Sequence, residues 1–149
     1  MHVLERDVSL PAPRERVFAF FADARNLERL TPPSLRFRIL TPGAIEMRAG
    51  AIIDYRIHLS GLPIRWRTVI EAWEPPGRFV DLQEKGPYAL WRHTHSFEET
   101  SGGTLMHDRV EYALPLGPLG RLAQRLFVAR RLDEIFAFRA QVVGELFGP

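Results

Sequence analysis

The chain has 149 residues, 46% of them hydrophobic and 26% charged, which suits one soluble domain (residues 1–149) with a single core. The absence of cysteine excludes disulfides, thiolate nucleophiles and cysteine-ligated metals, and a net charge of +2 gives no dense basic stripe for nucleic acid. No apolar run is long enough to span a bilayer, and the opening "MHVLERDVSL" has no basic-then-apolar leader, so we expect a cytoplasmic protein.

Residues 3–10, "VLERDVSL", alternate weakly and predict a first strand. "PAPRERVFAFFAD" follows, with Pro13 suited to a first helical position and Val17, Phe18 and Phe21 on one helical stripe. A second short helix is expected from about Asn26 to Leu30, capped by Asn26 and stopped by Pro32-Pro33.

From residue 35 to residue 113 the pattern has period two. "LRFRIL" predicts a strand from Leu35. "AIIDYRIHL" places Ile53, Tyr55, Ile57 and Leu59 on one face. Gly61-Leu62-Pro63 reads as a turn, and "IRWRTVIEAW" then sets Trp66, Thr68 and Ile70 against Arg65, Arg67 and Glu71. Six arginines between residues 36 and 67 face only Glu46 and Asp54, as a solvated outer sheet face would. "EPPGR" turns, "FVDLQE" is another strand, "KGP" turns again, and residues 91–112 form a hairpin. Gly117-Pro118 opens a long helix to about Phe147, whose apolar face runs through Leu119, Leu122, Leu126, Leu132, Ile135, Phe136, Val142, Val143 and Leu146. A twisted antiparallel sheet curls, and a curled sheet closed by one amphipathic helix encloses a cavity.

The hairpin "WRHTHSFEETSGGTLMHDRVEY" carries the chemistry. If it turns at Gly102-Gly103, Phe97 faces Asp108, His95 faces Val110 and His93 faces Tyr112. One face then holds Trp91, His93, His95, Phe97, Met106, Asp108, Val110 and Tyr112. The other holds Arg92, Thr94, Ser96, Glu98, His107, Arg109 and Glu111 and must meet solvent. Asp81 and Gln83 share a face of the preceding strand, and the pattern does not fix which way it points.

The signature "VSLPAPRERVFAFFADARNLERLTPP" and the segment from Phe79 to Gly120, "FVDLQEKGPYALWRHTHSFEETSGGTLMHDRVEYALPLGPLG", resemble the START/polyketide-cyclase-like superfamily over nearly the whole chain. They are most similar to its bacterial ligand-binding cyclase/dehydrase-like proteins, some fused to nucleotide-sugar epimerase-like chains. The resemblance implies an α+β helix-grip fold, in which a curved antiparallel sheet of about seven strands wraps a long C-terminal helix and two short helices follow the first strand. That superfamily includes carriers, receptors and cyclases, so the resemblance names no reaction.

Four readings of the polar cluster remain open. His93, His95 and Asp108 could form a self-satisfied network that fixes the sheet, since buried charges are costly unless paired. They could anchor a small hydrophobic or amphipathic ligand in a cavity lined by Tyr55, Trp66, Asp81, Gln83, Trp91, Phe97 and Tyr112 as well. They could serve as acid and base in a cyclase or dehydratase. Two histidines and a carboxylate also make a metal-binding set, but that spacing alone does not assign an ion, and no cofactor is implied. A different class of function, a module binding a protein through its outer face or C-terminal helix, is carried beside these.

Overall fold

In the computed structural model, which describes residues 1–148, seven strands make one antiparallel sheet in the order β1-β7-β6-β5-β4-β3-β2. The strands are β1 (His2–Leu10), β2 (Arg38–Ile39), β3 (Ile52–Leu59), β4 (Leu62–Glu74), β5 (Arg78–Lys85), β6 (Leu90–Thr100) and β7 (Gly103–Ala113). Helices α1 (Arg14–Phe21) and α2 (Leu27–Leu30) follow β1. The C-terminal helix is continuous through α3 (Gly117–Ala123), a π-helical turn (Gln124–Val128) and α4 (Ala129–Phe147). This is the helix-grip fold expected from the sequence.

Alternation sets the sheet. In β7 every second residue from Thr104 to Tyr112 is buried and the residues between are not, so the strand offers one face to the interior. On α1, Val17, Phe18 and Phe21 are buried, and Phe18 meets Trp73, Phe79 and Phe97 with ring centroids 5.1 to 5.8 Å apart. Burying an aromatic of this size stabilises the fold by roughly 1.5–3 kcal/mol. A first core cluster joins α1 to Phe79, Phe97, Met106, Val143 and Phe147. A second gathers Ile39, Ile53 and Ile70, and a third Val110, Tyr112, Leu132 and Phe136.

Several local expectations are corrected. The hairpin turns at Ser101-Gly102, with Thr100 opposite Gly103, so His95 faces Asp108, His93 faces Val110 and Phe97 faces Met106. The slip is two residues, so the same side chains stay inside. Gly103 is tied down by a distant contact: at φ +144, a Cβ there would lie 2.1 Å from the Leu10 carbonyl oxygen. Ser60 and Gly61, both at positive φ, form the β3–β4 turn, and Pro63 lies inside β4. Proline is tolerated there because β5 pairs with β4 only from Arg67 onward, so no ladder hydrogen bond is lost on that side. Leu35 ends a 3-10 turn begun at Pro33, which shortens β2 to two residues. Asp23, not Asn26, caps the segment before α2 by accepting from the Arg25 N–H, while Asn26 Nδ2 donates to the Phe20 carbonyl.

The largest departure is in the C-terminal helix. α4 buries Leu132, Phe136, Arg139, Val143 and Phe147, whereas Leu119, Leu122 and Leu126, expected on the packed face, are exposed.

Candidate functional site

Between the three core clusters lies a cavity of about 530 Å³. One wall is aromatic. Phe37, Tyr55, Trp66, Trp91 and Tyr88 form a chain of ring contacts, with centroid separations from 4.7 to 5.8 Å. Ile53, Ile57, Thr68 and Ile70 continue it along β3 and β4, as period two requires.

The adjoining wall is polar and is built by three adjacent strands and α4. His93 and His95, two apart on β6, stack at 3.6 Å, and Phe79 stacks on the far side of His95 at 4.0 Å. Asp81 lies beside His93 in register but bonds His95 Nε2 at 2.5 Å. Asp108 lies beside His95 but bonds His93 Nε2 at 2.8 Å. Each carboxylate therefore holds the histidine diagonal to it, which locks both rings against rotation. Arg139 comes down from α4, with a guanidinium nitrogen 3.2 Å from His95 Nδ1 and 3.4 Å from Asp108 Oδ1.

The charges follow from this packing. Burial opposes ionisation of Asp108, but the Arg139 charge and the hydrogen bond from His93 outweigh it, holding the carboxyl well below the usual range. Burial likewise opposes ionisation of Asp81, and the His95 hydrogen bond overcomes it, so Asp81 is also an anion. Burial, then the neighbouring His95, push His93 down to about 4 against the pull of both carboxylates. At neutral pH His93 is therefore uncharged, donating from Nε2 to Asp108 and leaving Nδ1 an open acceptor. Arginine can only donate, so His95 Nδ1 accepts from Arg139 and Nε2–H donates to Asp81.

Of the ten positions expected to bind a ligand, Tyr55, Trp66, Asp81, Trp91, His93 and His95 line the cavity. Four do not. Asp108 stands behind the imidazoles, 2% exposed. Phe97 belongs to the core with Phe18 and Phe21. Tyr112 is buried under the third cluster, its hydroxyl accepting from Gln124 Nε2. Gln83 clamps the β5–β6 loop, donating to the Tyr88 carbonyl and accepting from its N–H, and so aims Tyr88 into the cavity.

Arg139 and Tyr88 are among the lining residues that the sequence reading missed. Arg139 had one signal: it interrupts the helical stripe Leu132, Phe136, Val143, Phe147 at an inward position. Asp81, His93 and His95 each offer a donor atom within 4.8 Å of the others, so the trio that could meet a cation contains Asp81 in place of Asp108. The Arg139 cation beside His95 opposes a divalent ion there.

The profile of the family described as polyketide cyclase / dehydrase and lipid transport matches residues 1–142. The chain belongs to that family. Solved structures with this fold include a protein from Chromobacterium violaceum, 17% identical with a TM-score of 0.77, covering 100% of this chain and 99% of that one. A protein from Mycobacterium smegmatis is 20% identical with a TM-score of 0.71, covering 97% and 89%. A nucleoside-diphosphate sugar epimerase from Corynebacterium glutamicum is 27% identical with a TM-score of 0.66, the match covering 97% of this chain but 28% of that one. At such identities the polyketide cyclase / dehydrase fold is what these structures share. No curated protein matches the chain.

Proposed function

We propose that this protein binds a small amphipathic molecule in the cavity, its apolar body against the aromatic wall and its polar end at the Asp81–His93–His95–Arg139 wall. The observation that carries this reading is the cavity itself: about 530 Å³, with an aromatic wall that adjoins the convergent polar side chains of Asp81, His93, His95 and Arg139. Asp81 and His93 Nδ1 supply acceptors for a ligand hydroxyl.

A cyclase or dehydratase using His93, His95 and Asp108 is less well supported by the same geometry. Both nitrogens of His95 are engaged by the protein, and a His93 at about 4 is a weak base near neutral pH. Asp108 is buried and is not among the residues that line the cavity.

Native mass spectrometry of the purified protein tests the binding reading. We expect a mass above the 17.1 kDa chain, released on denaturation, or a thermal shift with a panel of flavonoids, sterols and fatty acids. Trp91→Leu, which takes a half-buried ring out of the aromatic wall, should keep the fold and weaken binding about tenfold. A bare chain that no panel member stabilises sinks the reading.

A further inference from the structure

The stretch from Leu116 to Arg131 inverts the usual rule for a soluble surface. Leu116, Leu119, Leu122, Leu126 and Phe127 are between 46% and 75% exposed, and the π-helical turn within this stretch buries none of its residues. Leu119, Leu122 and Leu126 recur at helical spacing and make one stripe. Beside it stand Arg121 and Arg125, then Arg130 and Arg131, all exposed, and no acidic residue occurs between Glu111 and Asp133.

This face also frames the cavity. Phe127 and Arg131 line it from the helix, and Leu59 and Ser60 line it from the β3–β4 hairpin. An Arg131 nitrogen lies 3.5 Å from Ser60 Oγ across this rim, and Leu62, just past the hairpin turn, is 66% exposed.

We propose that this face docks the protein on an anionic lipid surface, with the cavity rim turned toward the bilayer. Charge selects the occupant. A two-fold dimer through the same face would set the arginines of one copy against those of the other. Nucleic acid would meet the arginines but leave five large apolar side chains without a partner. An anionic bilayer takes both: leucine and phenylalanine enter the headgroup–acyl boundary while the arginine side chains reach the phosphates. The surface is separate from the polar wall, so its function does not depend on which ligand the cavity holds.

Flotation of the full-length protein with phosphatidylcholine vesicles, with and without phosphatidylglycerol, tests the proposal. We expect binding only to the anionic vesicles and release by added salt. The pair Leu126→Ser/Phe127→Ser should weaken binding about tenfold, and so should Arg121→Gln/Arg125→Gln, with thermal melting unchanged because all four side chains are exposed. Failure to bind anionic vesicles overturns the proposal, as does binding that neither pair weakens. A dimer in sedimentation velocity that Leu126→Ser/Phe127→Ser dissociates would reassign the face to a second copy of the chain, and also overturns it. Ligand uptake from solution, measured on Arg121→Gln/Arg125→Gln, whose side chains lie outside the cavity, separates this outcome from the cavity reading: loss of vesicle binding with uptake intact removes only the docking face.

Discussion

The two halves of the C-terminal helix obey opposite rules. From Ala129 to Phe147 the helix buries a guanidinium, Arg139, among Leu132, Phe136 and Val143. From Gly117 to Val128 it leaves leucines and a phenylalanine in the open and buries only Gly120. The difference teaches that a helix face is buried by what stands opposite it, not by its own hydrophobicity. Opposite Arg139 are Asp108 and His95, held inside by central strands of the sheet, and a buried anion there demands a cation. Among the described residues, no strand packs against the first half to a comparable extent.

The sharpest way to break this comparison is to remove the buried charge. Arg139→Met keeps the apolar stem and leaves Asp108 short of its cation, which should cost about 3–5 kcal/mol in denaturant unfolding. Adding Asp108→Asn should return part of that loss, because the anion that needed Arg139 is then gone. A loss below about 1 kcal/mol for the single substitution would mean that the His93 hydrogen bond alone satisfies Asp108.

The sequence carried the element order and the inward set, because period-two alternation and turn residues are local signals. It misplaced the hairpin register, because Gly103 is required by Leu10 and not by the turn. The error kept His93, His95 and Asp108 on one face but hid which partner each histidine takes. Asp81 could be placed inside only once its neighbours on β4 and β6 were known. Arg139 was illegible for a similar reason: its partners lie 31 and 44 residues earlier, and a lone arginine on an amphipathic helix otherwise resembles the flank of the polar face. The stripe through Leu119, Leu122 and Leu126 misled in the other direction, since helical spacing reports amphipathicity and not whether a partner is present.

A second experiment uses acid to probe the buried half. His93 stands at about 4 in the folded protein against 6.5 when unfolded, so the unfolded chain binds the extra proton as pH falls through 6.5. Stability should therefore decline from about pH 6.5 to about pH 4, by about 3 kcal/mol at about 1.4 kcal/mol per unit, and this contribution should then level off. Asp81 and Asp108, held below their ordinary range, add a further loss at lower pH as they protonate. His107 works with the opposite sign, since its hydrogen bond to Asp7 raises it and favours the fold below pH 6.5, but it is exposed to solvent and screened by salt. His93→Gln keeps a donor toward Asp108 and removes the titration, so its stability should be flatter over this interval. An unchanged slope in that variant would assign the acid sensitivity elsewhere.

The smallest effect belongs to the exposed half, and it is the one that most directly sharpens the contrast. Leu122→Gln removes a large apolar group from a helix surface that touches little, and the replacement is a comparable helix former. Its stability should stay within about 0.5 kcal/mol of the parent. Leu132→Ala, ten positions later on the same helix, removes a side chain that is 3% exposed and packed against Val110 and Phe136, and should cost about 2–5 kcal/mol. Thermal or denaturant unfolding of the two variants side by side reads the difference. If Leu122→Gln destabilised the monomer as much as Leu132→Ala does, the first half of the helix would be packed in solution, and its exposed stripe would not be available to any partner.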